Sequence, residues 1–329
     1  MLRRAQFLSA AILMLALATS AAAADQGQAA TDPAKAGPDF AVQGEYVGTV
    51  PGEKEEMKIG VQVIALGEGK FRAVGHEGGL PGDGWDGKER RAVEGQAVNG
   101  VATFSGEDGN WKVTIKDGKL TIVSSEGEQI ATLKKVQRKS PTLGAKPPAG
   151  AVVLFDGTSA DAFEGGHMTK DGLLAEGDTS KQQFQSFQIH LEFRTPFQPT
   201  ARGQGRGNSG FYAQGRYEVQ ILDSFGLEGR NNECGGIYGV AEPKVNMCLP
   251  PLSWQTYDVD YTAAEYQDGK KVRNAMMTVR HNGVVVHKDQ DVPHATTAAP
   301  VREGPGPGPI FLQNHGNPVR FRNIWVVEK

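Results

Sequence analysis

At 329 residues the chain is too long for one small module and suggests two domains, three at most. Its 35 Lys and Arg against 38 Asp and Glu give a net charge of −3 with no block of like charges, which excludes a nucleic-acid footprint and a basic membrane-surface patch. The 43 glycines, about 13% of the chain against a usual ~7%, are scattered among short apolar runs and mark a turn-rich, mostly β protein.

Arg3 and Arg4, the apolar run from Phe7 to Thr19, and Ala22-Ala23-Ala24 form the three parts of a cleavable secretory signal over residues 1–24. The apolar run is shorter than the ~20 residues a span needs, so the mature chain is expected in the periplasm or secreted, with no membrane span. Residues 25–41, rich in Ala, Pro, Gly and Asp without a period, read as a disordered spacer. Residues 42–137 alternate apolar and polar positions between turns. The Asp117-Gly118 pair between Trp111–Ile115 and Leu120–Val123 is a strong hairpin signal. The stretch 138–150, with Pro141, Pro147 and Pro148, reads as a linker, since its prolines remove backbone donors and fix φ.

Residues 151–329 alternate again. Phe187, Ile189, Leu191 and Phe193 share one face of a strand, and Gln188, His190, Glu192 and Arg194 share the other. A second hairpin is written around Asn282-Gly283. No long helical period occurs, so the expected fold is all-β: an antiparallel β-sandwich, a jelly roll or relative, preceded by a smaller β-rich domain. Gly78 to Gly87 forms a loop in which Trp85 either docks sugar or packs over the small β core.

Export also decides how the cysteines are read. Cys234 and Cys248 are the only pair in a compartment where disulfides persist, and a bond between them is expected to clamp a glycine-rich segment by roughly 3 kcal/mol. No histidine lies at ligand spacing beside them, which argues against structural zinc.

Gly205 to Gly210 formally matches a dinucleotide fingerprint, but it precedes the strand-like Phe211-Tyr212-Ala213 and opens no helix, so no phosphate cradle is expected. In Tyr217-Glu218-Val219-Gln220-Ile221-Leu222-Asp223, alternation puts Glu218 and Gln220 on one face, either converging on a ligand or simply solvated. Gln313 and His315 repeat that spacing in Phe311–Gly316, and Arg320 to Trp325 alternates basic with aromatic residues. His190, His281 and His287 sit in ordinary alternating strands, where surface or hairpin duty is expected.

Seven segments, in order, carry a family resemblance: Leu154-Phe155-Asp156-Gly157, Phe187 to Arg194, Asn208-Ser209-Gly210, Tyr217 to Ser224, Gly235-Gly236-Ile237-Tyr238-Gly239, Trp254 to Asp258, and Leu312 to Gly316, followed by Val319 to Trp325. Through them residues 151–329 resemble the 3-keto-disaccharide hydrolases, a family with a concanavalin-like jelly roll and mostly exported members. The resemblance implies a small carbohydrate substrate, with a ketone at C3 acidifying the C2 proton so that elimination and hydration cleave the glycosidic bond. Such chemistry needs a base, an enolate stabiliser and a proton donor. The expected roles are Glu218 as base or metal ligand, His315 as acid/base partner, and Gln220, Gln313 and Arg322 as donors to ketone and hydroxyls. Asn208 and Tyr238 are further substrate contacts.

Two rival schemes accompany this one. A conventional glycosidase would pair Glu218 with Asp223 or Glu233 as its carboxylates, although an offset of five points Glu218 and Asp223 to opposite faces. A divalent ion held by Glu218, Asp223 and His315 could replace one proton-transfer group. From a different class, the same fold could serve as a lectin-like binding module without catalysis.

Overall fold

Alternating runs joined by Asp-Gly and Asn-Gly pairs favour hairpins. In the computed structural model, which describes residues 29–52, 55–106 and 109–329, Asp117 and Gly118 have φ of 50° and 72°, and Asn282 and Gly283 of 51° and 81°. These are the mirror-image turns that match strand twist. The expected leader at residues 1–24 lies outside the described residues.

The first eight strands are β1 (Gly44–Pro51), β2 (Glu56–Gly67), β3 (Lys70–Glu77), β4 (Arg90–Val98), β5 (Val101–Ser105), β6 (Trp111–Lys116), β7 (Lys119–Ser124) and β8 (Gln129–Val136). All pair antiparallel with their neighbours, and β8 returns to β1 to close a barrel, which removes every edge. Tyr46, Val63, Phe71, Ile115 and Leu133 fill one part of its interior. The short helix α1 (Pro38–Val42) and Phe197 cap that part, with Phe40 edge-on to Phe197 at 5.4 Å. Residues 29–41 thus correct the expectation of a disordered spacer: Ala30 and Phe197 exchange backbone hydrogen bonds, and Asp32 caps the turn at Ala34.

Thirteen further strands follow: β9 (Val152–Phe155), β10 (Phe163–Glu164), β11 (Thr179–Phe184), β12 (Phe187–Arg194), β13 (Ser209–Ala213), β14 (Tyr217–Ile221), β15 (Gln255–Thr262), β16 (Glu265–Gln267), β17 (Lys270–Arg273), β18 (Ala275–His281), β19 (Val284–Val292), β20 (Gly308–Leu312) and β21 (Arg320–Glu328). They form a five-stranded sheet, β10-β11-β20-β13-β14, a six-stranded sheet, β19-β18-β15-β12-β21-β9, and the separate hairpin β16-β17. Between the two sheets, Phe187, Ile189, Leu191 and Phe193 of β12 join Phe211, Val219 and Ile221 in one core. This is the antiparallel sandwich that the alternation predicts. No helix among the described residues is long and apolar enough to cross a membrane.

The outer face of the six-stranded sheet is wet at Gln188 and Arg280 but covered around His190 and Glu192. His190 is fully buried, its Nδ1 2.7 Å from Asp258, and it stacks on Trp325. His281 is buried against Gln255 at 2.9 Å, and burial pushes it down to about 3, so it is neutral. His287 is buried with Nε2 2.7 Å from the Gly235 carbonyl. Surface duty for these three histidines is therefore corrected: His190 lies beneath a covering segment on the outer face, His281 packs inward against Phe193 and Tyr257, and His287 is shielded by the Gly235 segment. Part of the cover is the segment expected to be a free linker. Ser140 bonds Thr256 at 2.6 Å, Thr142 bonds Asp258 at 2.7 Å, and the Gly144 amide donates to Glu192 at 2.5 Å.

Glu192 anchors that cover. Burial opposes its charge, yet hydrogen bonds from His190, Asn323, Gly144 and Arg322 outweigh it and pull the carboxyl down to about 2. The stability it contributes is therefore present above its unfolded range near pH 4 and is lost as the pH falls towards 2. Glu192→Ala leaves Arg322 and Asn323 without their carboxylate, an expected loss of about 3–5 kcal/mol by denaturant titration at pH 7. Limited proteolysis should then cut first within residues 138–150.

Candidate active site

β13 and β14 pair with Tyr212 opposite Glu218 and Gly210 opposite Gln220. Phe211, Val219 and Ile221 enter the core, so Gly210, Tyr212, Glu218 and Gln220 point to the other face of the sheet. That face is covered as well: Glu218 is 2% exposed and Gln220 1%. The segment after Cys234 extends the sheet edge, with Gly235 N donating to Gln220 O (3.0 Å), Gln220 N to Gly236 O (2.9 Å) and Tyr238 N to Glu218 O (3.2 Å). Across the other side, Thr296 Oγ1 accepts from Glu218 N at 2.9 Å, and the Tyr212 hydroxyl reaches Thr297 O at 3.1 Å.

The Glu218 carboxyl lies over Gly210. A Cβ on Gly210 would stand 2.2 Å from Glu218 Oε1 and 2.9 Å from the Tyr212 ring, so only glycine leaves room for both side chains. Burial raises Glu218 to about 8, and the hydrogen bond from Tyr212 opposes this only in part. No second carboxylate contributes to that shift. Gln313 Nε2 donates to the Tyr212 hydroxyl at 3.0 Å, and Gln313 is held in place by its own N bonding Gly210 O at 2.9 Å.

Beside this pair sits an amide cluster. Gln220 Nε2 and Asn208 Nδ2 both donate to Gln204 Oε1, at 3.0 and 3.1 Å. Gln220 Oε1 and Asn208 Oδ1 are buried acceptors without a partner. Such groups are costly unless something donates to them, and sugar hydroxyls are donors of the right kind.

The structure therefore gathers Glu218, Gln220, Gln313 and Asn208 on one sheet, with Tyr238 at its edge. It does not bring Asp223 or Arg322 to them. Asp223 is 3% exposed and its carboxylate is bound by Arg206 Nε at 2.6 Å. Glu233 accepts the Gly229 and Arg230 amides at 2.6 and 3.0 Å and closes its own loop. Arg322 lies on β21 of the other sheet, 2.6 Å from Glu192 and 4.0 Å over the Trp254 ring. His315 falls after β20 ends at Leu312, so strand alternation no longer places it, and it is exposed.

Glu218, Asp223 and His315 consequently do not form a metal site, and no group of three His, Cys, Asp or Glu among the described residues is arranged to hold one. The expected disulfide is also corrected. Cys234 and Cys248 are adjacent free thiols in the sandwich core, Cys234 against the Tyr257 hydroxyl at 3.3 Å and Cys248 against the Leu222 and Leu249 carbonyls at 3.5 Å. Their segment is clamped instead by Cys234 N on Ser224 Oγ (2.8 Å) and Cys248 N on Asn246 Oδ1 (2.9 Å). Trp85, half-buried on its loop, packs edge-on to His76 at 4.8 Å.

Tyr212 and Gln204 complete the site, and neither stands out in the sequence reading. Tyr212 carries a usable signal, because it shares strand phase with Gly210 opposite Phe211. Gln204 carries none, since it lies in the short 3-10 turn Gly203–Gly205.

Residues 150–327 match the family model for the 3-keto-alpha-glucoside-1,2-lyase-like domain. Among solved structures, the chain is similar to a "putative glycosyl hydrolase" from Parabacteroides distasonis ATCC 8503, at 35% identity and TM-score 0.50 over 55% of this chain and 85% of that one. A second from the same organism, described in the same words, is 19% identical with a TM-score of 0.40, covering 55% of this chain and 94% of that one. No curated protein matches.

Because Glu218 is raised to about 8 in the fold from an ordinary 4.5, the folded state holds a proton that the unfolded chain releases, and stability falls as pH rises between those values. Glu218→Gln removes this penalty. At ~1.4 kcal/mol per pH unit the variant should be more stable than the parent by about 3 kcal/mol at pH 7, the gap vanishing below pH 4.5. Denaturant titrations across that range check it, and a pH-independent gap would refute it.

Proposed function

The chain belongs to the 3-keto-alpha-glucoside-1,2-lyase-like family, and from that membership we propose that it cleaves the glycosidic bond of 3-keto-glycosides, 3-keto-disaccharides included, with Glu218 as the base. The observation that carries this reading is a solitary buried carboxyl raised to about 8, with a phenol and an amide beside it and no second carboxylate acting on it. Once ionised, such a group is a stronger base than an ordinary carboxylate, which suits removal of a proton next to a ketone.

In the proposed sequence Glu218 takes the C2 proton, and the C–H electron pair moves into the C2–C3 enolate. Gln313 Nε2 donates a hydrogen bond to the oxygen where charge develops, and the Tyr212 hydroxyl turns from Thr297 O to donate a second. The enolate then re-forms the ketone and expels the C1 substituent with the C1–O electrons. That leaving group takes up a proton, for which His315, untethered two residues beyond Gln313, is the proposed donor. Water adds to the resulting unsaturated ketone at C1, a proton returns to C2, and the net result is hydrolysis. The unpartnered acceptors of Asn208 and Gln220 receive sugar hydroxyls. The leader-like residues 1–24 support export of the chain, and the substrate would then be met outside the cytoplasm.

Incubating the purified protein with a 3-keto-disaccharide and, separately, its unoxidised parent tests the reading. Only the keto compound should be cleaved, with kcat/KM rising with pH through about 8 as Glu218 ionises. Glu218→Gln should lower the rate about 10²–10⁴-fold and abolish deuterium exchange at C2 in heavy water. Equal cleavage of both sugars would overturn the ketone requirement, and binding without turnover would assign the sandwich to a lectin-like role.

A further inference from the structure

The barrel interior is filled at one part and empty at another. Where α1 and Phe197 cap it, Tyr46, Phe71, Ile115 and Leu133 are fully buried. Further along the same inward rows, large side chains give way to Ala73 and Gly75. There Val61, Phe104, Val113 and Leu120 help to line a cavity of about 330 Å³. A Cβ added at Gly75 would meet nothing closer than a backbone oxygen at 3.8 Å, so the space beside it is open.

This cavity has a mouth. Met57, Ile59, Val93, Trp111 and Ile122 belong to inward-facing rows, yet each is only half-buried, and Ile130 beside them is 39% exposed. Wetted apolar side chains lining a concavity are the usual mark of a ligand site. An eight-stranded barrel is wide enough either to be filled by side chains or to hold one small molecule, and here the side chains leave room. Glu77 and Arg91 stand at the lining without an ion pair to each other, and the deep wall is hydrocarbon. Size follows from volume: an engineered apolar cavity of ~150 Å³ accepts one benzene ring.

We propose that the N-terminal barrel is a binding site for a neutral, largely apolar molecule of about two rings, its buried end against Phe104, Val113 and Leu120 and any hydroxyl towards Glu77 and Arg91. The site is separate from Glu218 and stands whether or not the sandwich cleaves 3-keto-glycosides.

Calorimetric titration of the purified protein with 2-naphthol, and separately with a neutral disaccharide, tests the proposal. One naphthol should bind per chain and quench tryptophan fluorescence. Gly75→Leu, which projects a side chain into the cavity, should weaken binding at least tenfold while leaving cleavage of a 3-keto-disaccharide unchanged. Should Gly75→Leu fail to fold, Trp111→Phe serves in its place, and loss of most of the quench is expected. No saturable naphthol binding, binding indifferent to Gly75→Leu, a quench that survives Trp111→Phe, or binding of the disaccharide alone at this site would overturn the proposal.

Discussion

The buried Arg206 guanidinium joins the barrel to the two chain segments that carry the candidate site. Its Nε holds Asp223 at 2.6 Å, its Nη1 donates to the barrel carbonyl of Ala65 at 3.1 Å, and its own carbonyl accepts the Asp223 amide at 3.1 Å. A buried ion pair adds little net stability over apolar residues of the same volume, but losing one partner strands a charge at a cost of several kcal/mol. Its contribution here is to position. It ties the end of β14 to the loop before β13, and that loop carries Gln204 and Asn208 to Gln220. Without the pair, the amide cluster would have strands but no fixed roof.

Within that frame, the site follows from burying both faces of one hairpin. An antiparallel sheet usually leaves one face wet. On β13 and β14 the second face is closed by the Gly235–Tyr238 edge and by Thr296–Thr297, so a carboxyl that water would keep ionised is desolvated instead. The same enclosure leaves Asn208 and Gln220 with unmet acceptors. Both features are unfavourable by themselves, and donors from a hydroxylated ligand would offset them. That is the pattern expected where stability is traded for activity.

How much of this is legible in the sequence depends on what alternation can say. It says which residues share a face, and the hairpins, the sandwich and the shared phase of Glu218 with Gln220 all follow from it. It does not say which of two sheets a strand joins or what covers its outer face. Arg322 and Glu218 are therefore indistinguishable as polar positions in matched segments, although one stacks on Trp254 in the six-stranded sheet and the other lies over Gly210 in the five-stranded sheet. For the same reason the buried His190 and His287 look like surface histidines. Their cover comes from residues 138–150 and from Gly235, distant in sequence, and no local pattern announces it. His315 shows a third limit, since period-two reasoning stops where β20 stops.

The barrel and the sandwich are not two independent modules in series. Ile64 and Val74 point outward from the barrel and enter the sandwich core. Gly226 abuts Ile64 so closely that a Cβ would stand 2.4 Å from its side chain. Gly226 is three residues past Asp223, and Phe225 N bonds the Asp223 carboxylate. A substitution on the outer barrel face at Ile64 therefore acts on the segment that Arg206 pins, and through it on Gln204 and Asn208. Inward substitutions such as those at Gly75 touch none of these residues. The two faces of one barrel strand pair thus separate two effects, the outer face bearing on the site in the sandwich and the inner face on the cavity.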